Sequence, residues 1–155
     1  MNALPKQSVI QGDEIFKQIS LAKPVVLVTG ADSDTRRMLK FGLEMCNYEV
    51  AEARGFEESM IIVKKKRPCL ILIDAILPFV ENLRALDRMQ NTVEARDIPI
   101  VLLSGFSQKN FQRDAFEHGA KGFLVKPVEW DKLEQCIDKV LQKGGNERRV
   151  FRGGQ

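Results

Sequence analysis

Short apolar runs alternate with amphipathic segments along most of this chain. The runs are "VVLVT" from Val25, "YEVAEA" from Tyr48, "CLILID" from Cys69, "IPIVLLS" from Ile98 and "GFLV" from Gly122. Their length and their content of Val, Ile and Leu predict five β-strands. Strands that are apolar almost throughout are typical of a parallel sheet covered by helices on both faces.

Each run is followed by a segment whose apolar residues have helical spacing. These segments are "DTRRMLKFGLEMC", "EESMIIVKKK", "ENLRALDRMQ", "SQKNFQRDAFEHGA" and "EWDKLEQCIDKVLQKGG". Asp34 and Ser107 are predicted to cap the first and fourth helices, Gly119 to end the fourth, and Met38 to lie on the buried stripe of the first. Five strands alternating with five helices predict an α/β fold with a doubly wound parallel sheet in a three-layer sandwich.

In a doubly wound sheet ligands bind at the carboxyl ends of the strands, so the residues that follow each strand are the candidate site. Asp74 ends the third strand, Ser104 ends the fourth and Lys126 ends the fifth, whereas the first ends in Gly30 and Ala31. Singly, these polar residues could be a helix cap, a strand end and a surface charge. Together they predict a carboxylate that could bear a phosphoryl group, with a hydroxyl and an ammonium to bind its oxygens.

Composition excludes several other classes of protein. The chain has 155 residues, 44% of them hydrophobic and 29% charged, with a net charge of +3, which is ordinary for one globular domain. There is no clustered basic stripe to predict direct nucleic-acid binding, and no apolar run near the roughly 20 residues of a membrane span. Three separated cysteines indicate reduced thiols and a cytoplasmic protein, and a single histidine argues against a Cys/His zinc site.

Three parts of the chain differ in character. Residues 1–23 hold one short amphipathic segment, "DEIFKQIS", and are predicted to be an N-terminal extension with one possible helix. Residues 24–143 carry the alternating pattern and are predicted to form the domain. Residues 144–155 form a basic tail rich in Gly and Arg that is predicted to be disordered.

The motifs at the strand ends resemble those of receiver domains, the response-regulator domains of two-component signal transduction. The resemblance runs from about residue 24 to residue 143 and is carried by "DTRRMLK", "PCLILIDAILP", "IPIVLLSG" and "GAKGFLVKPV", in that order. It implies a flavodoxin-like sandwich with strand order 2-1-3-4-5. By resemblance Asp74 is the phosphoacceptor, Ser104 the switch hydroxyl, Lys126 the phosphate-binding lysine before a cis bond to Pro127, and Phe123 the switch aromatic.

The first strand departs from the family at the positions that bind metal. Receivers have two acids there that hold Mg²⁺, and this chain has Gly30 and Ala31 instead. Asp74, the carbonyl of Ile76 and Asp32 are the oxygen donors that the resemblance leaves for a metal. We therefore expect either no cofactor or weakly bound Mg²⁺, and a direct ion pair between Asp74 and Lys126 that needs no metal.

Two further departures concern surfaces. In the loop after the third strand, Phe79 and Asn82 stand where the family usually has glycines, and an exposed Phe79 could contact a partner or pack locally. Lys121 and Gly122 replace a pair, often acidic, that helps some DNA-binding members dimerise, so we expect a monomer or weak dimer. Trp130 is a further candidate contact, with core packing as the default interpretation.

Three functions remain open from the sequence. The first is a single-domain pseudo-receiver that is not an enzyme and acts through protein contacts, with little or no phosphorylation. The second is a conventional receiver phosphorylated on Asp74, with Asp32 helping to hold Mg²⁺. Both imply a sensor histidine kinase, a phosphotransfer protein or a downstream protein as partner, with no direct contact to nucleic acid or membrane. The third is a small doubly wound nucleotide-binding enzyme, but no glycine-rich phosphate loop follows any strand in this sequence.

Overall fold

Five parallel strands in the order β2-β1-β3-β4-β5 form a single sheet in the computed structural model, which describes residues 22–142. The strands are β1 (Val25–Thr29), β2 (Glu49–Ala53), β3 (Leu70–Asp74), β4 (Ile100–Ser104) and β5 (Gly122–Val125). The helices are α1 (Ser33–Met45), α2 (Phe56–Lys66), α3 (Val80–Gln90), α4 (Lys109–Glu117) and α5 (Trp130–Gln142). The predicted fold class and strand order are confirmed.

Some predictions concern parts of the chain that the structure does not describe. The short helix predicted at "DEIFKQIS" in the 1–23 extension and the basic tail of residues 144–155 lie outside the described residues. Within residues 22–142, none of the helices has the length and apolar content needed to cross a membrane.

The core consists of two apolar layers, one on each face of the sheet. Alternate side chains of a strand point to opposite faces, so β1, β3 and β4 supply both layers. One layer contains Leu27, Ile71, Ile73, Leu86, Met89 and Leu102, and the other contains Val26, Val28, Leu39, Leu43, Leu70, Leu72 and Leu133. Burial on both faces explains why these strands read as continuous apolar runs.

The helix caps differ from the sequence predictions at two of three positions. Asp32, not Asp34, caps α1, because Asp32 is the last residue with extended backbone before the helix. Ser107 does not cap α4 either, because the chain stays extended through Gln108 and the helix begins at Lys109. The predicted stop at Gly119 is confirmed: its φ of 104° lies in the left-handed region that glycine adopts most readily after a helix.

Helix α1 turns an apolar stripe outward. Met38 is 60% exposed, Phe41 68% and Met45 73%, whereas Leu39 and Leu43 are buried. The predicted burial of Met38 is therefore wrong. Residues 38, 41 and 45 share one helical face, and the helix packs on the sheet through the neighbouring face instead.

A close approach between α1 and α5 is made possible by a glycine. A Cβ atom built on Gly42 would lie 2.6 Å from the ring of Trp130, which packs against the core layer that contains Leu39 and Leu133. Trp130 thus packs within the domain, which is the default interpretation of this residue from the sequence.

Gly42→Ala should destabilise the protein, although alanine is normally the better helix former. We expect a net loss of up to about 2 kcal/mol, because overpacking against Trp130 costs about 1–3 kcal/mol and the gain in helix propensity is roughly 1 kcal/mol. Denaturant unfolding would measure the change. In a Trp130→Ala background the same substitution should be neutral or stabilising, and an equal loss in both backgrounds would contradict the proposed clash.

Candidate functional site

Asp74 and Lys126 meet at the carboxyl edge of the sheet. Asp74 is the last residue of β3 and only 8% exposed, and its Oδ1 atom forms an ion pair with Lys126 Nζ. The main-chain N–H of Lys126 donates to the carbonyl of Ser104 at 2.7 Å, which holds the lysine beside the end of β4. The peptide bond from Lys126 to Pro127 is cis, as the resemblance implies. The expected ion pair is therefore present.

Ser104 lies at the same edge but is engaged by its own turn. The side chain is fully buried, and its hydroxyl accepts a hydrogen bond from the Phe106 N–H at 2.9 Å and donates to the Phe106 carbonyl at 3.1 Å. Serine often bonds to the main chain two residues ahead in this way. The structure thus brings Asp74 and Lys126 into contact but directs the Ser104 hydroxyl towards the main chain.

Gly30 packs directly against Asp74. The N–H of Gly30 donates to the Ala53 carbonyl at 3.0 Å, which holds the end of β1 in the sheet. A Cβ atom built on Gly30 would lie 2.7 Å from the Cβ of Asp74, closer than such atoms come in proteins. A side chain therefore cannot be added at position 30 unless one of the two strands shifts. The neighbouring Ala31 is exposed and does not have this restriction.

The remaining oxygen donors do not fit an octahedral Mg²⁺ site. Asp32 is occupied as the cap of α1: Oδ2 accepts from the Thr35 hydroxyl at 2.6 Å and Oδ1 from the Asp34 N–H at 3.1 Å. These two hydrogen bonds hold the pKa of Asp32 below its usual value. The Ile76 carbonyl already accepts a hydrogen bond from another side chain. In residues 22–142 no group of three or more His, Cys, Asp or Glu residues is placed to hold a metal.

The side chain that bonds to Ile76 is Asn82, which fastens the loop between β3 and α3. Asn82 is 3% exposed; its Oδ1 accepts from the Ile76 N–H at 3.0 Å, and its Nδ2 donates to the carbonyls of Ile76 and Phe79 at 2.8 and 3.1 Å. The sequence analysis noted Asn82 only as a departure from glycine. Its amide carries both donors and an acceptor, which was the available signal for a residue that ties down a loop.

Phe79 belongs to a cluster of four aromatic rings. It is only 6% exposed and stacks on Phe111 with ring centres 4.2 Å apart and planes inclined by 6°. Phe106 contacts Phe111 edge-on at 6.2 Å, and Phe123 is tilted towards Phe79 at 6.5 Å. Of the two interpretations that the sequence left open for Phe79, local packing is confirmed and an exposed partner contact is not. Phe123 is partly buried in the same core layer.

Comparison with known proteins agrees with this architecture. The family profile described as the response regulator receiver domain matches residues 26–138. The chain is 24% identical to chemotaxis protein CheY4 of Vibrio cholerae, with a TM-score of 0.70 over 77% of this chain and 100% of that one. A response regulator from Thermotoga maritima superposes with a TM-score of 0.71 at 22% identity, covering 78% of this chain and 99% of that one. These likenesses show the fold.

Curated relatives are longer proteins. A probable transcriptional regulator ycf27 of Porphyra purpurea is 29% identical over 121 residues, which are 78% of this chain and 49% of that protein. The phosphate regulon transcriptional regulatory protein PhoB of Pseudomonas aeruginosa is 27% identical over 120 residues, 77% of this chain and 52% of that protein. The chain thus spans about half the length of these relatives. The profile covers the whole sheet except Val25, the first residue of β1, and the chain belongs to the receiver domain family of two-component response regulators.

Proposed function

We propose that this receiver domain is a pseudo-receiver, which signals through protein contacts with little or no Mg²⁺-dependent phosphorylation of Asp74. The observation that carries the proposal is the packing of Gly30 against Asp74, which removes the space for an acidic side chain at position 30. Receiver domains interact with histidine kinases and phosphotransfer proteins. We propose such a protein, or a downstream signalling protein, as the partner of this one.

The charge at the site supports this function on chemical grounds. Phosphoryl transfer to a carboxylate brings a highly charged group against a negative oxygen, and enzymes and receivers offset that repulsion with a metal ion and fixed cations. Here the ammonium of Lys126 sits on Asp74 Oδ1. This pairing makes that oxygen a weaker nucleophile, and a phosphoryl group would have to displace the lysine from it.

The aromatic cluster also supports a signal that is independent of phosphate. A receiver switch needs two arrangements of nearly equal free energy, so that a phosphoryl group can bias one of them. Phe79, in the β3–α3 loop, stacks on Phe111 of α4 and lies against Phe123 of β5. These ring contacts connect the loop with both elements. A buried stack of this kind favours one arrangement by roughly 0.5–1.5 kcal/mol beyond its apolar burial. The α4–β5 surface would then keep one conformation without modification.

Incubation with acetyl phosphate, with and without Mg²⁺, tests the proposal directly. We expect fewer than about one tenth of the protein molecules to gain a phosphoryl group in either condition, as measured by intact-mass spectrometry. The reason is that the oxygen donors beside Asp74 do not fit Mg²⁺. Asp74→Asn is the control for modification at other residues. Stoichiometric, Mg²⁺-dependent labelling that Asp74→Asn abolishes would instead show a conventional receiver, with Asp32 leaving its helix cap to bind the metal.

The two substituted acid positions should respond differently to restoration. Ala31→Asp adds a carboxylate at an exposed position, so we expect a stability change within about 0.5 kcal/mol and a gain in Mg²⁺ affinity. Gly30→Asp should destabilise the protein by about 1–3 kcal/mol, because its Cβ overlaps that of Asp74. Denaturant unfolding and calorimetric titration measure the two effects. A Gly30→Asp variant as stable as the parent would contradict the packing argument.

The conformation of α4 and β5 should depend more strongly on the aromatic cluster than on Asp74. We expect Phe79→Ala to shift the backbone amide resonances of Lys109–Glu117 and Gly122–Val125, because the stack on Phe111 is lost. Phe41→Ala, at an exposed ring on α1, is the matched control and should leave them in place. If Asp74→Asn shifted these resonances and Phe79→Ala did not, the switch would be of the phosphorylation-driven kind.

A further inference from the structure

A cavity of 490 Å³ opens beside Asp74, between α2 and α3. It lies above the carboxyl ends of β1 and β3, where the strand order β2-β1-β3-β4-β5 reverses. Ligands of open α/β sheets bind at these strand ends. Here α2 and α3 pack on the same face of the sheet, whereas α1, the helix that follows β1, packs on the other face. The volume is within the range of about 300–1,000 Å³ that is typical of small-molecule sites.

The inner part of the cavity is apolar and ends in hydrogen-bond acceptors. Ile73, Ala85 and Met89 line its walls. Two polar groups lie at the strand ends, the buried Thr29 hydroxyl and the Asp74 carboxylate. The Ser59 hydroxyl donates a hydrogen bond to the Gly55 carbonyl at 2.7 Å and lies 2.9 Å from Thr29 Oγ1. Lone pairs of Thr29 Oγ1 and of the carboxylate can therefore accept hydrogen bonds from N–H groups of a ligand.

The rim of the cavity is cationic. Three arginines line it, against two acids, Glu81 and Asp74, the second of which is already paired with Lys126. Arg54 and Arg84 have side chains 76% and 69% exposed, and their ion pairs are with surface glutamates. Exposed ion pairs of this kind contribute little stability, so both guanidinium groups can turn to an anion at small cost. Guanidinium groups bind phosphate oxygens in a bidentate manner.

The third arginine, Arg88, forms a wall rather than part of the anion site. Its guanidinium carbon lies 3.8 Å from the centre of the Phe56 ring, and Glu57 pairs with it at 3.5 Å. This contact spans from α3 to α2. A second cavity of 410 Å³ lies between the same helices and is also lined by Phe56 and Arg88. The stacked pair therefore belongs to the walls of both cavities and gives each a flat side.

We propose that this α2–α3 cavity binds a purine nucleoside monophosphate, with the base inside and the phosphate at the arginine rim. A purine is planar and mostly apolar on its faces, so it fits between the Phe56–Arg88 wall and the side chains of Ile73 and Met89. Its N–H groups meet the acceptors of Thr29 and Asp74. The phosphate meets Arg54 and Arg84, and no covalent step is involved.

The polarity of the cavity distinguishes this class of ligand from simpler ones. An inorganic anion would use the rim but leave the apolar interior empty, and an apolar molecule would leave the acceptors at the strand ends without donors. This inference rests on the proposed function, because it uses the unphosphorylated carboxylate of Asp74 as an acceptor. Nucleotide binding would allow a small molecule to regulate the receiver at the edge of the sheet where the acid pair is missing.

Calorimetric titration of the full chain with GMP and with AMP tests the proposal, with guanosine and ribose 5-phosphate as the two partial probes. We expect at least one nucleotide to bind with Kd below about 1 mM, and each partial probe to bind at least about tenfold more weakly. Equal affinity for ribose 5-phosphate and the nucleotide would mean that the rim binds phosphate alone. That result, or no detectable binding of either nucleotide at about 1 mM, would overturn the proposal.

Two variants locate the site. Arg84→Ala should weaken nucleotide binding by about tenfold, since a charged hydrogen bond is lost, whereas Arg113→Ala, at an equally exposed arginine on α4, should not change it. Ala85→Phe fills the cavity and should abolish binding, with amide spectra of the sheet residues as the check on folding. Binding that survives both Arg84→Ala and Ala85→Phe unchanged would place the nucleotide elsewhere and overturn the proposal.

Discussion

The ion pair between Asp74 and Lys126 is the contact on which the functional edge of this domain depends, and Gly30 packs directly against it. Asp74 ends a strand that is buried on both faces, so its charge needs a partner. In a receiver with two acids at the end of β1, a metal ion can be that partner. Here the main chain of Gly30 occupies the adjacent space, and the ammonium of Lys126 neutralises the carboxylate instead.

The loop after β3 is built to match this closed site. The Asn82 side chain forms hydrogen bonds with both the N–H and the carbonyl of Ile76, and these bonds hold the loop beside Asp74 in one conformation. Phe79 carries the same loop into the aromatic cluster with Phe111. Both residues replace glycines that the family usually has, so a loop that could adopt several conformations is held by a buried amide on one side and by a buried ring on the other.

The same strand ends also explain why open space remains nearby. The cavity between α2 and α3 lies at the carboxyl ends of β1 and β3, and α1, the helix that follows β1, packs on the other face of the sheet. Its position is a property of the topology and not of the individual side chains. In the absence of acidic side chains on β1, the chemistry of this crevice is set by its arginine rim and by its apolar walls. The ion pair thus follows from the residues at the end of β1, whereas the cavity follows from the topology of the sheet.

The sequence alone determined the fold and the identity of the residues at the sheet edge. Alternation of apolar runs with helical stripes required a parallel sheet, and this placed Asp74 and Lys126 at one edge, because all parallel strands end on the same side. The missing acids at Gly30 and Ala31 were also visible in the sequence, and they led to the expected ion pair.

Tertiary structure decided the features that depend on distance and direction. Sequence could not show that Ser104 turns to Phe106, that Asp32 is used as a helix cap, or that Met38 faces outward, because each depends on one residue of register or one side-chain rotation. The stacking of Phe79 likewise depends on α4, which is remote in sequence. Local patterns specify which face of an element is apolar, but only packing between distant elements determines which neighbours fill the remaining space.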